Sequence, residues 1–289
     1  MSGSEPLVDV VIVAYCSAET LAASVGSVAS DPAVADVIVV DNASPDDSAA
    51  VAEAAGARVV ATGANLGFGG GCNRGAAAGR SPYVLFLNPD AAAQPGTVAG
   101  LAAHLAGSPR AGAVASELRF ADGGRQPSRR RFPRWWLAPA EPGLSAELDE
   151  RWYRRRARGP RVDWVTGACF LVRRAAFEAV GGFDERYFLY AEETDLCARL
   201  AEAGWEIHWI PGLVTVHESG RSTRSLPGAG KVAWVDGWLR FLRTHSRQAG
   251  LSKLLLVVGF TGRAAVWTVA GQRASGRLWW TAARRAMRG

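Results

Sequence analysis

Three stretches of the sequence place carboxylates or a histidine next to apolar runs. The first is Asn88-Pro89-Asp90, which directly follows the apolar run from Tyr83 to Leu87. A carboxylate at such a place can hold a divalent cation between two phosphates, and the cation then neutralises charge that develops on a leaving diphosphate. By itself the tripeptide also fits an ordinary turn, because Asn, Pro and Asp are common turn residues.

The second stretch is acidic and surrounds the predicted start of a helix over 194–203. Glu192, Glu193 and Asp195 lie within four residues of one another, around Thr194. Their charges repel, and the positive end of a helix offsets only part of that cost. Helix capping by Thr194 and Asp195 explains one acid but not three. A general base for a hydroxyl group, which must stay ionised near neutral pH, explains the surplus.

The third stretch contains His217, at the end of an apolar strand that is followed by a polar, glycine-containing loop. An isolated histidine is usually structural, but this position favours a metal ligand or a phosphate contact. Arg221 and Arg224 lie on the same loop, and their charge suggests that they close over a diphosphate.

The elements that must position these residues follow a βαβ rhythm, which predicts a mostly parallel sheet over the first 120 residues. Predicted strands cover 8–14, 37–40, 58–61 and 83–87, and predicted helices cover 17–29, 48–55 and 70–79. Further strands are predicted over 165–172, 207–210 and 213–217. Ligands bind beyond the carboxyl ends of the strands in such sheets. Asp41 and Asp90 each close an apolar strand there.

Charge is unevenly distributed along the 289 residues, although the net charge is +6. Residues 125–161 hold eleven arginines and four acids, residues 247–289 hold eight basic residues and no acid, and the remainder is acidic. The basic tail also contains Trp267, Trp279 and Trp280. This combination favours an anionic membrane surface over nucleic acid. The four scattered cysteines predict buried free thiols and no zinc cluster of usual spacing.

Domain boundaries follow from the same composition. Residues 1–246 are expected to form one α/β domain, in which the Arg- and Pro-rich segment 121–161 is a mobile loop or lid. Residues 247–289 form a tail whose apolar run, Leu254 to Gly262, is about half the roughly 20 residues that a membrane span requires. We expect an amphipathic helix on anionic lipid. The alternative is a helix packed on the body or on an oligomer partner. The short polar start predicts no signal peptide and a cytoplasmic location at the inner membrane face.

Six stretches, in order and register, resemble the family 2 glycosyltransferases and specifically their rhamnosyltransferase-like branch, which has the GT-A fold. They run from Val10 to Tyr15, Val39 to Ser44, Asn65 to Gly75, Leu85 to Asp90, Gly167 to Val172 and Gly182 to Leu196. The resemblance implies a nucleotide-diphosphate sugar donor and a Mn²⁺ or Mg²⁺ ion. It also implies an inverting, single in-line displacement by an acceptor hydroxyl.

The resemblance also implies roles for individual residues. Ala14 and Tyr15 would line the base pocket and Asp41 would hydrogen-bond the pyrimidine ring, while other donor contacts would come from Asn42, Asn65, Gly67, Asn73 and Asn88. Asp90 would bind the metal with His217 as a possible second ligand.

This sequence departs from the family at two places. Asn88 replaces the first metal aspartate of the family, which predicts looser metal affinity. Glu192-Glu193 replaces the usual Glu-Asp pair, so the base is Glu193, Glu192 or Asp195.

The donor and the acceptor are less constrained. The resemblance favours dTDP-L-rhamnose, with a UDP- or GDP-sugar as the alternative. The acceptor is expected to be a glycan or a polyprenyl-diphosphate-linked glycan of cell-envelope polysaccharide synthesis. A dinucleotide-binding oxidoreductase does not fit, because the glycines at 67–71 follow the third strand and not the first. A non-catalytic membrane-binding module is the rival from another class, but it leaves the acidic cluster unexplained.

Overall fold

The structure is a computed structural model that describes residues 7–132, 144–218, 229–246, 249–269 and 273–288. Its first half alternates strands and helices. These are β1 (Val8–Ala14), α1 (Ala18–Ala29), β2 (Val34–Asp41), α2 (Ser48–Ala54), β3 (Arg58–Ala61), α3 (Gly67–Ala78) and β4 (Tyr83–Leu87). The four strands are parallel in the order β3-β2-β1-β4. Their carboxyl ends therefore meet at one edge of the sheet.

The second half extends this sheet beyond β4. Its strands are β5 (Ala91–Ala93), β6 (Ala111–Arg119), β7 (Arg125–Gln126), β8 (Arg129–Arg130), β9 (Arg161–Val162), β10 (Trp164–Val165), β11 (Cys169–Arg173) and β12 (Glu206–His217). Its helices are α4 (Thr97–Gly107), α5 (Leu144–Arg156), α6 (Arg174–Ala179) and α7 (Glu192–Glu202). The sheet continues β4-β11-β6-β12-β5, with β11 antiparallel to both of its neighbours. β8 pairs with β10 separately.

Two chain reversals bring the distant predicted residues together. β12 pairs with β5 so that His217 lies opposite Ala91, next to Asp90. β10 is followed by 166–168 and then by β11, whose first residue, Cys169, lies opposite Leu87 at the end of β4. Residues 88–90, 166–168 and 217 therefore share one edge of the sheet.

The structure differs from the predicted elements in three places. The strand predicted over 165–172 is two strands, β10 and β11. The two strands predicted over 207–210 and 213–217 are one strand, β12, whose register shifts between Ile210 and Val214 around Gly212, which has a positive φ. The segment 121–161, expected as an irregular loop, contains β7, β8, α5 and β9 among its described residues.

Helices cover both faces of the sheet, so its central strands are buried on both sides. All residues of β1 and β4 are buried. One apolar layer contains Val11, Phe86 and Phe183, and the opposite layer contains Ile12 and Leu21. This double coverage explains why these strands are continuous apolar runs in the sequence. The predicted buried free thiols are confirmed for three cysteines, at positions 72, 169 and 197.

Three helices follow the sheet: α8 (Ala229–His245), α9 (Ala249–Val269) and α10 (Arg273–Arg288). α8 has two apolar faces, since Trp238 and Phe241 join the core of the body, whereas Leu239 joins a separate cluster with Phe260 of α9 and Ala283 of α10. The last two helices thus pack on α8. In the described part of the chain, no helix combines the length and the apolar character that crossing a membrane would need.

Candidate active site

A cavity of about 300 Å³ opens where the carboxyl ends of β1, β4 and β12 meet. It brings together nine of the residues predicted from the sequence. They are Tyr15, Asn42, Asn65, Gly67, Asn88, Asp90, Glu192, Glu193 and His217. Four other predicted residues are described but do not line it: Ala14, Asp41, Asn73 and Asp195. Arg221 and Arg224 lie outside the described residues.

The β4 end and the β12 end contribute a carboxylate and an imidazole that face each other. His217 Nε2 lies 3.4 Å from Asp90 Oδ1 and 3.3 Å from the Asn88 amide nitrogen. On its other side, His217 Nδ1 lies 3.1 Å from Gln126 Oε1. If Nδ1 donates to this oxygen, Nε2 keeps its lone pair and accepts from Asn88. An unprotonated nitrogen then lies beside a carboxylate oxygen, which is the donor set of a divalent cation.

The first turn of α7 supplies the two glutamates on the opposite wall. Glu192 is 4% exposed and Glu193 is partly exposed. Burial raises the pKa of both side chains, and the charge of Glu193 raises the pKa of Glu192 further. Hydrogen bonds from the backbone, including one from Gly167, and the charge of Arg130 act in the opposite direction on the pKa of Glu193. A carboxylate with a raised pKa at a cavity wall is suited to accept a proton near neutral pH.

Asp195, the third candidate base, is held in contacts between helices. Its side chain forms an ion pair with Arg199 at 2.7 Å and accepts a hydrogen bond from His245 Nε2 at 2.8 Å. The Tyr187 hydroxyl lies 3.4 Å away. These contacts join α7 to the end of α8. Because the carboxylate is buried in this network and does not line the cavity, Glu192 and Glu193 are the two acids of α7 that face the cavity.

The loop before α3 is fixed by one asparagine at the end of β2. Asn42 donates to Asn65 Oδ1 and to the Gly67 carbonyl, and its own oxygen accepts from the Leu66 amide. Gly67 has φ of 75°, and a side chain there would overlap the Phe188 carbonyl. Glycine is therefore required at this position, both for the backbone angle and for the close approach.

Three residues that were predicted to contact the sugar donor lie behind the cavity wall. Ala14 is buried at the end of β1, and its carbonyl accepts from the Asn42 amide. Asp41 accepts a hydrogen bond from the Ser44 amide. Asn73 of α3 bonds both the amide and the carbonyl of Phe183, which fastens α3 to the segment before α7.

Strained backbone is concentrated around this cavity. Among the described residues, four that are not glycine have positive φ: Cys16, Ala43, Tyr190 and Ala191. The first two follow β1 and β2, and the other two directly precede Glu192. Such conformations cost free energy and persist where the surrounding structure imposes them, often at functional sites.

Two residues near the cavity were not predicted from the sequence. Gln126 lines the cavity beside His217, and Arg130 acts on Glu193 through its charge. Both lie in the segment 121–161, which was expected to be a mobile loop or lid. Their position depends on the pairing of β7 with β6 and of β8 with β10, which join segments far apart in the chain.

Comparison with known proteins places this geometry in a family. The family model for glycosyl transferase family 2 matches residues 9–181. N-acetylglucosaminyl-diphospho-decaprenol L-rhamnosyltransferase of Mycobacterium tuberculosis is 37% identical over 217 residues, which are 67% of this chain and 69% of the relative. Rhamnosyltransferase WbbL of Escherichia coli K12 is 44% identical over 64 residues, 22% of this chain and 24% of the relative.

Solved structures agree on the fold. Mannosyltransferase PcManGT from Pyrobaculum calidifontis, in complex with GDP-Man and Mn²⁺, aligns with a TM-score of 0.65 at 16% identity, over 98% of this chain and 86% of that one. Glucosyl-3-phosphoglycerate synthase from Mycobacterium tuberculosis, with Mn²⁺ and UDP, aligns with a TM-score of 0.55 at 21% identity, over 81% and 79% of the two chains. The predicted GT-A fold is confirmed, and the chain belongs to glycosyltransferase family 2.

Proposed function

We propose that the protein transfers L-rhamnose from dTDP-L-rhamnose to a hydroxyl group of an N-acetylglucosamine that is linked to a polyprenyl diphosphate. The observation that supports this most directly is the mycobacterial relative, whose name gives both the transferred sugar and the acceptor. Its aligned region includes two thirds of each chain. The product would belong to cell-envelope polysaccharide synthesis.

Asp90 and His217 would hold the divalent ion of the donor complex. Their facing atoms are 3.4 Å apart, which is compatible with two ligands of one cation at about 2.1 Å each. Among the described residues there is no group of three or more His, Cys, Asp or Glu side chains that would hold a metal alone. Phosphate oxygens and water would complete the coordination, as is common for Mg²⁺. When bound, the ion stabilises negative charge on the leaving diphosphate.

Glu193 is the proposed base. It removes the proton of the acceptor hydroxyl while that oxygen attacks the anomeric carbon, and the bond to the diphosphate breaks on the opposite side. Configuration at the anomeric carbon is inverted. Glu193 is chosen over Glu192 because its side chain is the more exposed of the two and can reach an acceptor. Burial raises the pKa of Glu193, and the charge of Glu193 raises the pKa of Glu192 further.

The donor nucleotide would occupy the wall formed by β1, β2 and the loop before α3. Tyr15, Asn42 and Asn65 line the cavity there. Asp41 and Ala14 support this wall from behind, and Arg221 and Arg224 would approach the diphosphate from the chain that follows His217. Solved structures of the same fold contain GDP-Man or UDP, so both nucleotides belong in the test.

The C-terminal helices would rest on an anionic membrane surface at the cytoplasmic face. α9 exposes a stripe of apolar side chains at helical spacing, Leu251, Leu254, Val258, Val266 and Val269. The neighbouring α10 exposes Trp280 together with Arg277 and Arg284. Apolar, tryptophan and arginine side chains on one side of a helical unit suit the interface of an anionic bilayer. This arrangement would keep the enzyme close to a lipid-linked acceptor.

Calorimetry with four donors, with and without Mn²⁺, tests the donor assignment. We expect dTDP-rhamnose to bind in the presence of Mn²⁺ and to lose this metal dependence in Asp90→Ala, while UDP-glucose, UDP-galactose and GDP-mannose bind more weakly. Transfer to N-acetylglucosaminyl-diphospho-polyprenol is then measured with the preferred donor. Binding of none of the four, with or without metal, would contradict the proposal.

A further inference from the structure

A second cavity of about 620 Å³ lies on one face of α5, away from the residues described so far. It is lined by four arginines, an aromatic ring and a leucine. These are Arg131, Arg151, Arg155, Arg156, Trp152 and Leu148. Arg131 comes from the end of β8, and the others come from successive turns of α5. The cavity therefore combines concentrated positive charge with apolar surface.

The acids around the cavity form their ion pairs mainly with other arginines. Glu150 forms ion pairs with Arg129 and Arg154, and Asp149 with Arg130. None of the four cavity arginines forms an ion pair with a carboxylate among the residues that the structure describes, although burial raises the pKa of Asp149 and the charge of Arg131 acts to lower it. Asp149 does accept a hydrogen bond from the Arg131 amide, but this fixes the backbone and not the guanidinium group.

Arginines near the end of a helix often stabilise its negative pole, which accounts in part for Arg155 and Arg156. It does not account for Arg131, which directly follows β8 and lies in no helix, or for the position of its side chain. The Arg131 guanidinium group is stacked 4.6 Å from the centre of the Trp152 ring. Stacking restricts the guanidinium group while leaving its donors available, a state suited to binding a phosphate in a bidentate manner.

The paired strands β8 and β10 connect this cavity to the wall of the catalytic cavity. β8 pairs with β10 so that Arg129 lies opposite Val165, and Thr166 and Gly167 follow directly in the wall of the catalytic cavity. Arg131 therefore lies about three residues from Thr166 along these strands, which is roughly 10 Å between the two backbone positions. One sugar ring with its attached diphosphate can bridge this separation.

We propose that the arginine face of α5 binds the diphosphate of the lipid-linked acceptor, with Leu148 and Trp152 contacting the first part of the polyprenyl chain. This inference rests on the proposed function, because it needs an acceptor whose sugar carries a diphosphate. It assigns α5 the task of orienting the acceptor so that its hydroxyl group reaches Glu193. The lipid chain then leaves the site over Leu148, which is 38% exposed.

The test compares two acceptors with the same sugar and alkyl chain, one joined by a diphosphate and the other by an uncharged ether. Variants are Arg151→Ala, Arg155→Ala and the double substitution. The matched control is Arg154→Ala, which removes an arginine of the same helix that does not line the cavity. We expect KM for the diphosphate acceptor to rise about tenfold per substitution, in line with the loss of a charge-assisted hydrogen bond. KM for the ether acceptor and for the donor should not change.

An equal change in KM for both acceptors, or an equal rise in KM in Arg154→Ala, would overturn the inference. The proposed transfer reaction would stand in either case. Loss of binding to phosphatidylglycerol vesicles without a change in KM for the diphosphate acceptor would assign the face to bilayer phosphates, which also overturns it. If the wild type uses neither acceptor, the proposed function fails. Pyrophosphate binding in EDTA, weaker in the double variant than in Arg154→Ala, still decides whether α5 is a diphosphate site.

Discussion

The two glutamates at the start of α7 differ in exposure, and this difference separates their expected roles. Glu193→Gln should lower kcat by about 10²–10⁴-fold, the usual contribution of a general base, with little change in donor affinity. Single-turnover transfer and donor calorimetry measure the two quantities. The matched control is Glu53→Gln, since Glu53 of α2 is exposed and does not line the cavity. A larger loss of kcat in Glu192→Gln than in Glu193→Gln would make Glu192 the base.

Glu192→Gln should change the stability but not the acid limb of the kcat/KM profile. Burial raises the pKa of Glu193, and the charge of Glu193 raises the pKa of Glu192 further, so Glu192 is still neutral when Glu193 ionises and its removal leaves the pKa of Glu193 in place. Because the folded-state pKa of Glu192 is raised above 4.5, ionisation of this group opposes folding as pH rises. The free energy of unfolding of the variant, measured in urea, should therefore exceed that of the wild type by on the order of 1 kcal/mol at pH 8. Below pH 4 the two proteins should be equally stable. A gain that persists at pH 4 would contradict this explanation.

Gln126 fixes the orientation of His217, so its effect should appear in metal binding. Gln126→Ala should weaken Mn²⁺ affinity by about 10–100-fold, the usual effect of removing a hydrogen bond to a metal-binding imidazole. Titration of Mn²⁺ in the presence of dTDP, followed by electron paramagnetic resonance, gives this affinity independently of turnover. Gln94→Ala, a change at an exposed glutamine, is the control. Equal affinity in both variants would remove Gln126 from the proposed site.

At the scale of elements, α8 supports the strained turn that presents the glutamates. A side chain at Gly237 of α8 would overlap the Tyr190 carbonyl. Gly237→Ala should therefore displace the turn and lower kcat at least about tenfold, although alanine favours the helix by about 1 kcal/mol. Gly262→Ala in α9 is the matched control, because nothing lies within 4 Å of the added methyl group. It should raise the melting temperature and leave kcat unchanged.

Elements specified by neighbouring residues can be predicted from the sequence, whereas contacts between distant residues cannot. β1, β3 and β4 have the predicted bounds, because apolar runs and their polar ends specify these strands locally. α7 begins at Glu192, two residues before the predicted start, and it follows a turn with positive φ at Tyr190 and Ala191 that the local sequence does not indicate. The contact between Gln126 and His217 joins segments 91 residues apart, and no local pattern indicates it. The contact between Asp195 and His245 likewise joins residues 50 positions apart, so the sequence does not indicate it.

At the scale of the whole molecule, the basic tail is also part of the folded structure. α9 and α10 cover the second apolar face of α8, where Leu239 and Leu242 are each 4% exposed. Deleting 247–289 would uncover these side chains and destabilise α8, which also holds Asp195 through His245. A loss of activity after deletion would therefore not reveal whether the tail binds a membrane. Substitutions on the exposed stripe of α9 separate the two effects.

Leu254 and Val258, each 57% exposed, are the best positions for this test. The double variant Leu254→Gln with Val258→Gln should bind phosphatidylglycerol vesicles about tenfold more weakly, because two apolar side chains no longer enter the bilayer. Its unfolding temperature and its transfer to a short water-soluble acceptor should match the wild type, since neither residue packs on α8 or α10. Phe120→Gln, at an exposed apolar residue of the body, is the control. Unchanged vesicle sedimentation in the double variant would assign the stripe to something other than the membrane.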